Sequence, residues 1–490
     1  MFITDPLTIL LTVVLCLILI FYNKKKTFVN LPPGPKPLPL IGNLHIINLK
    51  KPQETMMEFS KRYGSIFTLY IGPKKMVVLC GYEMVKDALI NHADDFSDRP
   101  NIPIFKDILK GYGVIFSNGE NWKAMRRFTL STLRDFGMGS KIIENKINEE
   151  CDFLLDKIKS YKGKPFENTM IMNGAVANII VSILLGHRFD YQDPKFLRLM
   201  HLINESLRLL ASPMVMMYNT FPMLCRWLPG GHRAVLQNSK ELLDYIRETF
   251  PEHRESLDIN DQRDLIETFF VKQQEEKSNN GLFFHNDNLM MLVTDLFAAG
   301  TETTSTTIRW SLLLMIKYPD IQKKVQEEIE KVIGLKQPQA EHRKMMPYTD
   351  AVIHEIQRFS NILPINLPHA TTRDVTFRGY NLPKGTHVVP LLASVLREKS
   401  HFEKPDEFYP QHFLDSQGNF VKNEAFLPFS AGKRSCAGEN LAKMELFLFF
   451  TRLLQNFTFH APTEAVLDLT PASGLTTPPM PYDICALPRQ

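Results

Sequence analysis

The sequence predicts a mainly helical protein with a small β-rich lobe, preceded by one membrane-spanning anchor. Three observations carry that expectation. Residues 141–276 are mostly amphipathic helical text, and a further apolar stripe runs from 287 to 317. Two β-rich runs, 66–70 and 76–80, flank Gly72-Pro73-Lys74-Lys75 and read as a hairpin. Residues 2–22 are almost uncharged and apolar, with Asp5 as their one charge. A composition of 44% apolar and 22% charged residues over 490 positions suits a large folded core, and a net charge of +4 argues against nucleic acid as a partner.

Some twenty helical residues span about 30 Å, enough to cross a bilayer. Lys24, Lys25 and Lys26 follow the apolar run and no basic residue precedes it, so the bulk of the chain is expected on the cytoplasmic face. A cleavable signal peptide would begin with basic residues and end at a small-residue site, and neither occurs. The dense prolines of Leu31-Pro32-Pro33-Gly34-Pro35-Lys36-Pro37-Leu38-Pro39 predict a stiff, extended hinge. The chain thus divides into an anchor (1–23), a basic and proline-rich hinge (24–40) and a globular domain (41–490). Its six cysteines are scattered without a CxxC pair, which fits a reducing compartment.

Within the globule, residues 97–120 carry Pro100, Pro103, Gly111, Gly113 and Gly119 and read as a long irregular loop of functional type. Asn121 is expected to cap a helix starting at Trp122, which sets Trp122 and Arg126 on one face. Taken alone, that pair reads as a core tryptophan beside a snorkelling arginine. Lys123, Arg127 and Arg134 fall partly on other faces, either solvated or available to an acidic partner. The helical text breaks at Phe221-Pro222 and at residues 228–231, and the apolar runs 209–211 and 214–217 suit a pocket roof, a membrane-dipping loop or ordinary core.

Asp287 or Asn288 should cap the long helix, which Tyr318-Pro319 ends. Its middle, Ala298-Ala299-Gly300-Thr301-Glu302-Thr303-Thr304, is poor helix text, with Gly300 costing about 1 kcal/mol relative to alanine. Threonine hydroxyls there can capture carbonyls of the preceding turn and open the helix. A small-residue contact for a crossing helix is the alternative. Residues 349–359 form a further short helix on which Glu355 and Arg358, three apart, can pair. The 363–367 segment, followed by Pro368 and His369, is expected to be extended.

The richest chemistry lies at residues 429–438. Cys436 stands between Gly432 and Gly438, just before helical text, so its sulfur faces the positive end of a helix that should lower its pKa. The two glycines allow tight turns, Phe429 can shield the sulfur and Arg434 can reach an anion beside it. A buried, hydrogen-bonded thiolate of this kind suits the fifth ligand of a haem iron.

These five residues match the Phe-x-x-Gly-x-Arg-x-Cys-x-Gly signature, and the chain resembles the cytochrome P-450 monooxygenases from hinge to C-terminus, most closely their microsomal family-two branch. The resemblance implies the cytochrome P-450 fold, with a long central helix over haem b (iron protoporphyrin IX) and Cys436 as iron ligand. It puts Trp122, Arg126, His369 and Arg434 on the haem propionates, Phe429 and Gly438 beside the thiolate, and Ala299 and Gly300 at a haem-facing gap. Residues 298–304 are similar to the Ala/Gly-Gly-x-Asp/Glu-Thr motif, which makes Glu302 and Thr303 an acid–alcohol pair delivering protons during dioxygen reduction. Glu355 and Arg358 resemble a structural pair whose third partner is usually arginine. Here Tyr409-Pro410-Gln411-His412-Phe413 supplies His412, whose charge depends on pH.

The implied reaction inserts one atom of dioxygen into lipophilic substrates such as xenobiotics, fatty acids or steroids. Residues 102–116, 295–299, 363–367 and 473–477 are expected to form the mostly apolar walls. No dinucleotide fingerprint or P-loop occurs, so electrons would come from an NADPH-dependent flavoprotein reductase, with cytochrome b5 as a further donor. The location implied is the endoplasmic reticulum membrane, cytoplasmic face. A haem-thiolate isomerase or dehydratase, or a haem-binding sensor, would share the cysteine. The intact acid–alcohol pair disfavours the first of these, and the apolar pocket and anchor disfavour the sensor.

Overall fold

The computed structural model describes residues 30–136, 141–276, 282–463 and 465–489, together with Asp5 and Thr12. The expected anchor, apart from those two residues, lies outside the described residues. Among the described residues no helix is long and apolar enough to cross a membrane.

Helices dominate, and one four-stranded sheet forms the β lobe. Its strands run in the order Ile66–Ile71, Lys74–Cys80, His387–Leu391, His369–Ala370. The first two pair antiparallel across Gly72-Pro73, where Gly72 adopts φ +57°, as the hairpin reading expects. Val77 then lies beside Val388 in a parallel pairing, so buried β-branched residues meet across the strands. The proline-rich hinge is no free linker. Pro33 O accepts from Thr68 N at 2.8 Å, Pro32 O accepts from the Thr68 hydroxyl at 2.9 Å, and Asn43 clasps Tyr70 in both directions. Prolines cannot donate, but their carbonyls still satisfy and cover an edge strand.

The central helix, Asn286–Lys317, is buried on every side from Ile308 to Ile316, where its sequence is apolar nearly all round. His285 occupies its cap position, two residues before Asp287 and three before Asn288, the expected caps, with its ring nitrogen accepting from Asn288 N at 3.3 Å. Asn288 faces inward instead. It accepts from Gly113 N at 2.9 Å and donates to Asn121 Oδ1 at 2.6 Å and Phe283 O at 2.7 Å. The threonine-rich middle stays helical although Thr303 donates to Ala299 O at 2.8 Å and Thr307 to Thr303 O at 2.9 Å. Hydroxyls that share a carbonyl with the ladder do not by themselves break it. Gly300 serves the crossing helix Thr169–Leu184: a Cβ there would lie 2.6 Å from Ile180 Cδ1.

The 97–120 segment is not irregular throughout. It contains a helix, Pro103–Leu109, opened by proline in its first turn and closed by left-handed Lys110. The following helix, Gly119–Asp135, starts earlier than expected, with Asn118 rather than Asn121 at the cap position. Above them, Tyr218 donates to the Asp107 carboxylate and Ile104 N donates to Asn219 Oδ1 at 3.0 Å, so residues 213–220 sit as a roof on Pro103–Leu109.

Candidate functional site

Chain turning at the cysteine loop depends on one glycine. Gly432 adopts φ +72°, and a Cβ there would lie 1.8 Å from Leu89 O, so no other residue fits. Cys436 N donates to Phe429 O at 3.0 Å, and the helix Glu439–Asn456 begins directly afterwards. Gly438 has φ −93° and needs no glycine for its turn; its amide points at the Cys436 sulfur. Lys443 Nζ stands 5.7 Å from the centre of the Phe429 ring.

Contrary to the expectation from the helix end, the Cys436 thiol pKa is raised, because burial outweighs the Gly438 amide and the Arg126 charge. Yet Cys436 is exposed. A side chain both accessible and desolvated opens onto an enclosed space and not onto bulk water. Ala299 is likewise exposed, in a part of the central helix where Leu296, Ala298, Gly300 and Thr303 are half-buried.

Beside the loop is a cluster of cations. The Arg434 guanidinium lies 3.8 Å above the Trp122 ring and donates to Ser97 O (2.6 Å), Ser117 O (2.7 Å) and Asn118 Oδ1 (3.1 Å). Arg99, which sequence reasoning missed, donates to Ile115 O, Leu367 O and Pro368 O at 2.9–3.1 Å. Arg126, on one helix face with Trp122, has among the described residues only a 3.5 Å contact to Ser435 Oγ. Burial holds Arg99, Arg126 and Arg434 below the usual arginine pKa; repulsion by Arg126 adds to this at Arg99, and repulsion by Arg99 and Arg126 adds to it at Arg434, while the Cys436 charge opposes it at Arg126. His369 is buried, with Nδ1 bonded to Phe96 O at 2.7 Å, and burial followed by the Arg99 charge pushes its pKa well down. Trp122 Nε1 and His369 Nε2 are buried and have no hydrogen-bond partner among the described residues.

An anionic group carrying carboxylates fits this arrangement. It would accept from Trp122 Nε1, give Arg126 a full partner, relieve the repulsion among the arginines and let His369 take up a proton at Nε2 and donate.

The acid and the alcohol of the central helix point to different partners. Glu302 Oε1 accepts from Thr306 Oγ1 at 3.2 Å and Thr476 Oγ1 at 2.9 Å, while Thr303 bonds Ala299 O. Burial raises the Glu302 pKa, opposed first by the Thr476 hydroxyl and then by the Arg309 charge. Four residues before the expected gap at Ala299 lies a different device. Asp295, fully enclosed, accepts from Val114 N at 2.8 Å and Ile115 N at 2.9 Å, and Gly113 packs so closely that a Cβ would be 2.4 Å from its oxygen. Burial pushes its pKa up to about 7 against those two amides. Asp295 thus pins the 113–115 wall to the central helix. The 363–367 wall is less extended than expected, because Asn366 N turns back to Leu363 O at 3.0 Å with Asn366 at φ +62°.

Glu355 and Arg358 form a fully buried bidentate pair, 2.7 Å in both arms. Arg358 also donates to Leu396 O, Pro405 O and Glu407 O, and Glu355 accepts from Tyr409 N at 2.8 Å. His412 completes the set. Lys404 N donates to its Nε2 at 3.1 Å, so the proton sits on Nδ1, which donates to Glu355 Oε2 at 3.1 Å. The neutral ring fills the third place without a charge.

An accessible yet desolvated cysteine at a helix start, beside three closely set arginines, is what a haem-thiolate protein requires. The family profile described as Cytochrome P450 matches residues 32–486. The chain is 48% identical to mouse (Mus musculus) cytochrome P450 2C39, with 94% of each chain covered. It is 49% identical to rat (Rattus norvegicus) cytochrome P450 2C11 over 99% of this chain and 98% of the relative. With cytochrome P450 2K1 of Oncorhynchus mykiss identity is 50%, over 94% and 92%. The chain belongs to the cytochrome P450 family. It is a haem-thiolate monooxygenase of lipophilic substrates, with haem b as cofactor and a reductase as redox partner.

Proposed function

We propose that Cys436 is the iron ligand, that Trp122, Arg126, His369 and Arg434 hold the propionates, and that Glu302 and Thr303 manage proton delivery. The observation that carries this is the pair of buried, unpartnered nitrogens at Trp122 and His369 beside three crowded arginines. The haem supplies the oxidising chemistry, with thiolate donation favouring dioxygen activation. The chain's own residues do the rest. The Gly438 amide and Arg126 stabilise negative charge on Cys436. Phe429 flanks the loop, and Ala299 keeps the central helix surface open next to Gly300, which brings the crossing helix close. Thr303 offers a hydroxyl at the accessible face, and Glu302 is a buried acid one residue away. Glu355, Arg358 and His412 fix the segment after the helix Pro347–Ser360. The apolar walls select xenobiotics, fatty acids or steroids.

Electrons arrive from an NADPH-dependent flavoprotein reductase, and cytochrome b5 is a second donor. The exposed cations Lys123 and Arg127 suit acidic partners of this kind. Residues 1–23 anchor the enzyme in the endoplasmic reticulum membrane and the basic and proline-rich stretch 24–40 orients the catalytic domain, 41–490, on the cytoplasmic face. The segment after the roof supports this: Met223, Leu224 and Trp227 are 88%, 73% and 77% exposed, and Leu38 and Ile41 on the hinge side are exposed as well.

The test is turnover with labelled dioxygen, NADPH and purified reductase. One labelled atom in a lipophilic product, with the other in water, is expected; product without NADPH would favour the isomerase reading. Thr303→Ala should keep the haem but divert reduced oxygen to hydrogen peroxide, and unchanged coupling of NADPH use to product would remove its assigned role.

A further inference from the structure

Glu302 is held by two hydroxyls of different origin. Thr306 lies one turn along the same helix and keeps its place whatever the surroundings do. Thr476 comes from the 473–477 wall, 174 residues away in sequence. That wall is itself tied in three directions. Leu475 N donates to Leu207 O at 3.2 Å, at the end of the helix Pro194–Leu210. Thr477 N donates to Ile362 O at 2.9 Å, and Trp310 of the central helix donates to Thr477 O at 2.9 Å. The carboxyl position therefore depends on the wall position. Thr476 is buried, and a Cβ on Gly474 would stand 2.6 Å from Thr476 O, so the turn is tight. The Arg309 charge, buried on the same helix, favours the carboxyl where it now lies.

We propose that Thr476 is a positioning residue that latches the Glu302 carboxyl away from Thr303. Displacement of the 473–477 wall by a bound substrate releases the latch and lets the carboxyl swing to the Thr303 hydroxyl. This rests on the reading of Glu302 and Thr303 as the proton-delivering pair. Its use is economy: a proton donor kept aside until substrate arrives suppresses the wasteful reaction in which NADPH, a proton and dioxygen give NADP⁺ and hydrogen peroxide.

Thr476→Val removes the hydroxyl and keeps the shape, while Thr476→Ser keeps both. In a crystal structure of Thr476→Val, without substrate, the Glu302 carboxyl is expected on Thr303. With reductase, substrate-free peroxide formation is expected to rise about fivefold, the weight of one net hydrogen bond. Thr476→Ser should behave as wild type, and adding Glu302→Gln to Thr476→Val should abolish the rise. Thr476→Ala serves with the same expectations where the valine variant does not fold. A carboxyl that stays on Thr306 with an unchanged peroxide rate would overturn the latch. Glu302→Gln distinguishes the two levels: impaired coupling there with a silent Thr476→Val removes the latch alone, whereas unchanged coupling removes the proton-delivery reading and the latch with it.

Discussion

Glu355, Arg358 and His412 on one hand, and Trp122, Arg126, His369 and Arg434 on the other, are built from similar side chains and end in opposite conditions. In the first group every charge has its counter-charge and the Arg358 guanidinium is fully engaged by Glu355 and three carbonyls. In the second, Arg126 and Arg434 crowd Arg99, with repulsion acting on Arg99 and Arg434, and among the described residues two buried nitrogens lack partners. A closed set like the first holds a fold together, because removing any member strands the others. An open set like the second costs stability as it stands, and its retention makes sense when a carboxylate-bearing ligand completes it.

Four substitutions break or sharpen this contrast. Cys436→Ala, in the open region, is expected to abolish the thiolate-type absorption spectrum altogether while leaving helical content by circular dichroism near wild type. Arg358→Ala, in the closed set, leaves Glu355 charged and buried and should cost about 3–5 kcal/mol in denaturant unfolding. Lysine should not restore it, since it cannot make the bidentate pair.

Asp295 lies between the extremes, a buried carboxyl with two amide donors and no cation. Its pKa of about 7 is above the ordinary 3.8, so from about pH 4 to about 7 the native state keeps a proton that the unfolded chain has lost. Stability therefore falls as pH rises through that window and levels off above it. Asp295→Asn should flatten this slope in urea unfolding measured across the window. The smallest effect is expected from Trp122→Phe, which keeps the ring under Arg434 and removes only the donor. Haem should dissociate about tenfold faster, the weight of one hydrogen bond to a charged acceptor, with the fold unchanged.

Local signals carried much of this account. The cysteine loop and its helix are contiguous, and Glu355 and Arg358 are one turn apart, so their pattern is legible locally, while the role of that pair came from the family resemblance and the need for Gly432 at Leu89 from the fold. The central helix was legible from its stripe and its Pro319 stop. Long-range partners were not. Arg99 sits in a Pro/Gly-rich loop with no periodicity, and its partners, Leu367 and Pro368, are more than 260 residues on. The hinge reads as a linker because proline has no N–H, and only the fold shows that its carbonyls cover a strand edge. The small-residue break in the central helix had two readings, and Ile180 against Gly300 is a contact no local pattern records. His412 posed a charge question, which the direction of the Lys404 amide answers.

The central claim is that the open cluster surrounds a haem whose iron is bound by the Cys436 thiolate. The absorption spectrum of the reduced, carbon-monoxide-bound protein in fresh membranes tests it most directly. A strongly red-shifted Soret band is predicted. A band at the position typical of histidine-ligated haem, reproduced in freshly prepared membranes, would contradict it.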